Sequence, residues 1–138
     1  MVPKTARFLT VILLLTLCSW ASPQAPQNGP ASATSPAEMR ALGYLHTIFG
    51  SEREYKKKHG AYSKTMAALV GNGSFTRRMA TTDRGDYTVK FSSTGEHFAI
   101  GMVPKTFDAE HRAFFINETG TVRFETDKPA GPQSEVLK

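Results

Sequence analysis

The chain has 138 residues, with 17 Lys and Arg against 12 Asp and Glu, and a formal net charge of +5. This length suits one small domain with a single core. Part of the positive charge lies in an N-terminal targeting segment, so the charge does not indicate a nucleic-acid partner, and we expect none.

Residues 1–21 have the pattern of a secretory signal peptide. Lys4 and Arg7 form the charged start, residues 8–17 form an apolar core, and residues 19–21 give a Ser-Trp-Ala cleavage site. The apolar run is too short to anchor a chain across a bilayer, so we expect cleavage and no stable membrane span. The mature chain would then have 15 basic and 12 acidic residues, be secreted or periplasmic, and carry a net charge of +3.

The only cysteine, Cys18, lies inside this segment. Its removal would leave the mature chain without a disulfide and without thiol chemistry. Lipoprotein processing at Cys18 is the alternative. It is disfavoured because Leu17 is larger than the small residue that usually precedes a lipidated cysteine.

Residues 22–34 are rich in Pro, Ala, Ser and Gln, carry no charge and predict a disordered linker. A long amphipathic helix is then predicted from Pro36 to His59. Ser35 is a suitable N-cap, with Glu38 completing a capping box. Gly60 supplies the left-handed residue that ends the helix.

The apolar face of this helix is interrupted by one carboxylate, Glu52. Helical spacing places the following side chains on that face: Ala41, Tyr44, Leu45, Ile48, Phe49 and Tyr55, with Leu42 at its edge. A buried carboxylate is costly unless it accepts hydrogen bonds. We therefore expect Glu52 to be a structural cap that accepts backbone N–H groups of residues 62–65 and stays ionised.

The opposite face of the helix carries a flat strip of small residues, formed by Gly43, Thr47 and Gly50. Two glycines weaken a helix by about 2 kcal/mol relative to alanine. The strip is a candidate contact surface, because another backbone can approach glycine closely. The alternative interpretation is a weak helix that its sheet stabilises.

The remainder of the chain is predicted to form strands. A helical turn over residues 64–70 and a glycine-containing loop over residues 71–85 come first. Four strands are then predicted, at Tyr87–Phe91, where apolar and polar residues alternate, and at His97–Val103, Arg112–Asn117 and Thr121–Glu125. Their short connections predict an antiparallel meander, with the helix packed on it as an α+β domain over residues 35–126. We expect Ile48 and Phe49 to pack against Phe98, Ile100, Phe115 and Val122. Residues 127–138 are predicted to be a flexible tail.

No pattern in the chain indicates catalysis or a cofactor. The four histidines, at positions 46, 59, 97 and 111, lack the spacing of a metal site, and no serine lies in a nucleophile turn. Glu52 and Glu54 point in different directions on a helix, so they do not form a catalytic pair. We expect no enzyme, no metal and no cofactor.

Several segments resemble the globular part of type IV pilin-like and type II secretion major pseudopilin proteins. They are residues 45–55, 59–62, 66–69, 98–104 and 112–123, and the resemblance extends over residues 41–132. It implies a helix on an antiparallel sheet, and partners that are other envelope or secreted proteins, including copies of the chain itself. It also implies weak calcium binding near residues 108–110, for which solvation of that loop is the alternative.

The chain departs from that group at its N-terminus. The glycine followed by Phe-Thr-Leu-Ile-Glu, which a prepilin peptidase processes in those proteins, has no counterpart here. Incorporation into a filament by the usual route is therefore not expected. The sequence predicts an exported, non-enzymatic, pilin-like module with a structural or protein-binding role in secretion or surface assembly. The alternative is a soluble periplasmic protein that binds a small ligand or an ion.

Overall fold

The computed structural model describes residues 33–138, so the predicted signal peptide and residues 22–32 lie outside the described residues. One helix, α1 (Pro36–His59), is followed by two 3₁₀ turns, Met66–Leu69 and Arg77–Ala80. Six strands complete the fold: β1 Asp83–Arg84, β2 Tyr87–Ser93, β3 Phe98–Pro104, β4 Ala113–Asn117, β5 Arg123–Glu125 and β6 Glu135–Val136. They form one antiparallel sheet in sequential order, which confirms the predicted α+β meander.

The ends of α1 follow from its capping residues. The Ser35 side chain accepts the backbone N–H of Glu38, and Pro36 occupies the first turn, where a missing N–H costs nothing. Gly60 ends the helix with φ of 78°, and its N–H donates to the carbonyl of Lys56 at 2.8 Å. A residue with a Cβ would be strained at this angle, so the sequence fixes the end of the helix.

The sheet has six strands, and the predicted number of four is wrong. The added strands are β1, inside the predicted loop, and β6, inside the predicted tail. Each has only two residues and no alternating apolar pattern of its own. Each becomes a strand because it pairs with a longer neighbouring strand. The N–H of Leu137, for example, donates to the carbonyl of Val122 at 3.0 Å and holds the C-terminal segment on β5.

The core lies between α1 and one face of the sheet. Its fully buried members include Leu42, Leu45, Ile48, Phe98, Ile100, Met102, Phe114 and Ile116. Leu42, which was predicted at the edge of the apolar face, is also buried, with 1% of its surface exposed. Phe49 is only partly buried, with its ring 6.2 Å from that of Phe98.

One expected core residue, Phe115, is not part of the helix-side cluster. Successive side chains of a strand point to opposite faces, and Phe114 and Ile116 are the two that pack under α1. Phe115 pairs with Gly101 and lines a surface pocket together with Pro132 of the C-terminal segment. The run Ala-Phe-Phe-Ile is apolar throughout, so its pattern alone does not reveal which residues face inward.

Candidate functional site

Glu52 is buried in the C-terminal half of α1, and its carboxyl accepts hydrogen bonds from a single residue, Ser63. Its Oε2 accepts the backbone N–H of Ser63 at 2.9 Å, and its Oε1 accepts the Ser63 hydroxyl at 2.6 Å. The same hydroxyl lies 3.2 Å from the carbonyl oxygen of Thr65. The carboxyl thus links the helix to the segment that enters the first 3₁₀ turn, within the range expected from the sequence.

The pKa of Glu52 moves in the direction opposite to the one expected. Burial raises this pKa above its ordinary value, and the two hydrogen bonds from Ser63 lower it only in part. Glu52 has 0% of its surface exposed, so a substrate cannot reach its carboxyl in this structure. The geometry gives Glu52 a bracing position instead of a position for proton transfer.

Sequence reasoning missed a buried ion pair between Glu38 and Arg112. The Arg112 Nε donates to Oε1 of Glu38 at 2.9 Å, and Nη2 donates to Oε2 at 2.8 Å. The backbone N–H of Arg112 also donates to Oε1 at 2.9 Å. The Glu38 side chain is 0% exposed and that of Arg112 is 12% exposed, so water screens this pair very little.

Glu38 does not make the second hydrogen bond of a capping box. Its Oε2 accepts the N–H and the hydroxyl of Thr34, at 2.8 and 2.9 Å, where a capping box would use the N–H of Ser35. Burial alone would raise the pKa of Glu38, but the bonds from Arg112 and Thr34 outweigh it and hold that pKa at about 2. The carboxylate is therefore ionised at every physiological pH.

The N-terminal end of α1 is fixed to the loop between β3 and β4 by a second contact. The Ser35 hydroxyl donates to the carbonyl of Glu110 at 2.5 Å, close to the pair formed by Glu38 and Arg112. Two residues of the helix entry, Ser35 and Glu38, therefore contact one short stretch before β4. No local sequence signal indicates this, because the partners are more than seventy residues apart.

A cavity of about 290 Å³ lies between the first half of α1 and the turn that joins β1 to β2. Its lining includes Arg40 and Asp86, whose charged groups are 3.8 Å apart, and Arg84, whose guanidinium stacks 4.3 Å from the ring of Tyr44. Tyr87 also lines it, and its buried hydroxyl has no hydrogen-bond partner among residues 33–138. The cavity therefore carries both signs of charge, whereas the Tyr87 hydroxyl itself is buried away from solvent.

The structure keeps the four histidines apart. His111 Nδ1 lies 2.8 Å from Asp108 Oδ1, and His97 Nδ1 lies 2.7 Å from Glu118 Oε1. Asp108 Oδ1 also accepts the N–H of Glu110 at 2.8 Å, so the loop for which calcium was considered uses this oxygen internally. In the described part of the chain, no group of three or more His, Cys, Asp and Glu side chains is placed to hold a metal ion.

The strip formed by Gly43, Thr47 and Gly50 lies on the outer face of α1. Gly43 is exposed and the other two are half-buried. A Cβ built on either glycine would meet nothing within 4 Å, and the Thr47 hydroxyl donates to the carbonyl of Gly43 at 2.9 Å. Met39, one turn before Gly43, has 54% of its surface exposed. Residues 33–138 thus leave Gly43 and Met39 exposed and the space beside both glycines open.

Comparison with known proteins adds one similarity. No protein-family model matches the chain, and no curated protein matches it. Among solved structures, the chain is similar to a non-core minor pilin, PilV, of Neisseria meningitidis. The TM-score is 0.42 and the identity 19%, over 72% of this chain and 91% of that one. At this TM-score and identity, the similarity assigns the chain neither a family nor a function. Within residues 33–138, no helix has the length and apolar character needed to cross a bilayer.

Proposed function

We propose that the chain is an exported, non-enzymatic, pilin-like module that binds other envelope or secreted proteins, copies of itself included. The outer face of α1 is the contact surface in this proposal. The observation that carries it is the uncovered strip of Gly43, Thr47 and Gly50 beside the exposed Met39. The likeness of sequence segments to pilins and pseudopilins agrees with such a role but does not carry it.

The glycines of the strip contribute nothing to the folded chain that alanine could not supply. Both lie inside a regular helix, where glycine costs about 0.5–1 kcal/mol relative to alanine. Neither is needed for close packing, because the space around each is open. A protein that retains two weakening residues on an exposed face is best explained by a partner that approaches the helix backbone there.

The two glycines can be tested without harming the fold. Gly43→Ala and Gly50→Ala should each raise the free energy of unfolding by about 0.5–1 kcal/mol, because alanine has less backbone entropy to lose. The double variant should nevertheless capture less partner protein from the native envelope than the wild-type mature chain does. Urea denaturation measures the first effect and quantitative pull-down the second.

Arg53→Ala is the matched control, since Arg53 is an exposed residue of the same helix beside the strip. It should leave partner capture unchanged. If the double glycine variant captures as much partner as the wild type, the strip is not the contact surface and the proposal is wrong.

Export is the second part of the proposal, and N-terminal sequencing of the protein from its native source tests it. We expect the mature chain to begin at Ser22, because the charged start, apolar run and Ser-Trp-Ala site precede that residue. A mature chain that still begins with Met1 would contradict export by this route. A lipid-modified Cys18 at the N-terminus would show lipoprotein processing instead.

The cavity lined by Tyr87 favours the second candidate function, binding of a small ligand or an ion. It carries charged groups of both signs, and Tyr87 at its wall has a buried hydroxyl without a hydrogen-bond partner among residues 33–138. The charged groups around it, Arg40 and Asp86, already face each other at 3.8 Å and are largely exposed to water. The outer face of α1 therefore remains the better supported site.

A further inference from the structure

Only the first part of β2 is covered on its outer side. β1 pairs with Tyr87 and Thr88, and the last bond across this edge runs from the N–H of Val89 to the carbonyl of Thr82 at 2.7 Å. In an antiparallel strand, the direction of the backbone groups alternates with each residue. The N–H and C=O of Phe91 and Ser93 therefore point to the same side as those of Val89, where no strand of residues 33–138 pairs with them.

A cavity of about 580 Å³ lies beside this edge from Thr88 to Phe91, and Ser93 lies just beyond its lining. The cavity separates β2 from the segment around Met66, because the chain before β1 leaves the sheet at Ala80. Met66 and Val89 are buried and Phe91 is partly buried, so the inner wall of the cavity is apolar. Neighbouring strands of a sheet lie about 4.8 Å apart, and the cavity leaves room for an added strand at this distance from β2.

The positive charge of the cavity favours an acidic occupant. Lys64 and Lys90 line it, and no Asp or Glu does. Neither lysine has an ion-pair partner among the described residues. Lys90 lies between two core-facing residues and so points to the other face of the sheet. A complementary strand would alternate acidic residues opposite Lys90 with apolar residues towards Met66.

Three occupants from the chain itself fit poorly. A second β2 edge would bring the lysines of two copies together, and like charges across a strand pair are destabilising. β6 of a second copy has only two residues. Residues 22–32 carry no acidic side chain and include three prolines, which lack the N–H that an added strand donates.

We propose that the edge of β2 at Phe91 and Ser93 binds an extended, acidic segment of a different protein, which adds to the sheet as a further strand. The proposal rests on the proposed function as a protein-binding module but uses another surface. Backbone hydrogen bonds supply the attachment, and the two lysines select for acid. The strip on α1 remains available at the same time.

Hydrogen exchange on the mature chain tests the edge directly. In the free protein, the amides of Phe91 and Ser93 should exchange fast while those of Lys90 and Ser92, which pair with β3, exchange slowly. A short peptide of alternating glutamate and valine should bind saturably and protect Phe91 and Ser93. Lys64→Glu combined with Lys90→Glu should weaken this binding by about tenfold or more, from two reversed charge pairs.

The controls separate charge from position. Lys128→Glu, on a lysine that lies near Glu125 far along the chain, should leave peptide binding unchanged. A peptide of alternating lysine and valine should not bind. If the acidic peptide gives no protection at Phe91 and Ser93, or if both peptides bind equally well, the proposal is wrong. Gly43→Ala should not alter peptide binding. The peptide experiment therefore tests the β2 edge, the pull-down tests the strip on α1, and either proposal can be wrong without the other.

Discussion

Arg112→Ala is expected to lower the free energy of unfolding by about 3–5 kcal/mol at neutral pH, because it leaves the buried Glu38 carboxylate without its counter-charge. The remaining donors of Glu38, at Thr34 and at the backbone N–H of residue 112, do not neutralise it. Urea or guanidinium denaturation, followed by circular dichroism, measures the loss. The effect exceeds that of any surface ion pair in the described residues, since those pairs are screened by water.

The double variant Glu38→Leu with Arg112→Met is the control for this experiment. Replacing a buried pair by apolar side chains of similar size is often neutral, so the double variant should recover much of the loss. Lys57→Ala, which breaks an exposed pair with Glu54, should cost less than about 0.5 kcal/mol. If Arg112→Ala unfolds like the wild type, the pair is not buried in solution.

The same pair makes stability depend on pH in a defined direction. The pKa of Glu38 is 4.5 in the unfolded chain and about 2 in the folded protein. Its contribution, about 3 kcal/mol, is complete above pH 4.5 and disappears as the pH falls from 4.5 towards 2. Glu38→Gln should remove this part of the acid denaturation profile.

Glu52→Ala is expected to lower the free energy of unfolding by about 1–3 kcal/mol, because the buried N–H of Ser63 loses its acceptor. Glu52→Gln should cost less than about 1 kcal/mol. The amide oxygen of glutamine can keep the N–H of Ser63, and the Ser63 hydroxyl can turn to the Thr65 carbonyl at 3.2 Å. If both variants unfold like the wild type, Glu52 is not a brace, and a role in binding gains support.

The pH dependence of Glu52 has the opposite sign from that of Glu38. Since burial raises its pKa in the folded protein, the stability that Glu52 contributes is complete below its unfolded pKa of 4.5. It is lost as the pH rises through the raised value. Glutamine mimics the protonated form at every pH. The wild type should therefore gain stability relative to Glu52→Gln as the pH falls.

Local signals predicted the elements that depend on neighbouring residues. Ser35 and Gly60 set the ends of α1, and short apolar runs separated by turn residues identified the four longer strands. β1 and β6 were missed because pairing with the sheet decides them, and two residues carry no pattern of their own. Phe115 was placed on the wrong face because Phe114 beside it is equally apolar.

The partners of buried polar residues were predicted only where the two partners lie close together in the sequence. Glu52 needed donors, and the nearest segment after the helix supplied them at Ser63. Glu38 also needed a partner, but its position in the first turn of a helix offered capping as a sufficient explanation. Arg112 lies too far along the chain for spacing to connect the two. The pKa of Glu52 was misjudged because its hydrogen bonds were expected to outweigh the cost of burial, and the two bonds from Ser63 offset that cost only in part.

The sequential order of the strands determines how the chain closes its loops during folding. Each long strand pairs with the next along the chain, so the hairpins form by closing short loops at a small entropic cost. The contacts of α1 with β4 span about seventy residues and carry the large closure cost. The contacts of the helix with β4, including that of Glu38 with Arg112, therefore raise the relative contact order of the domain, and we expect docking of the helix to be slower than closure of the hairpins.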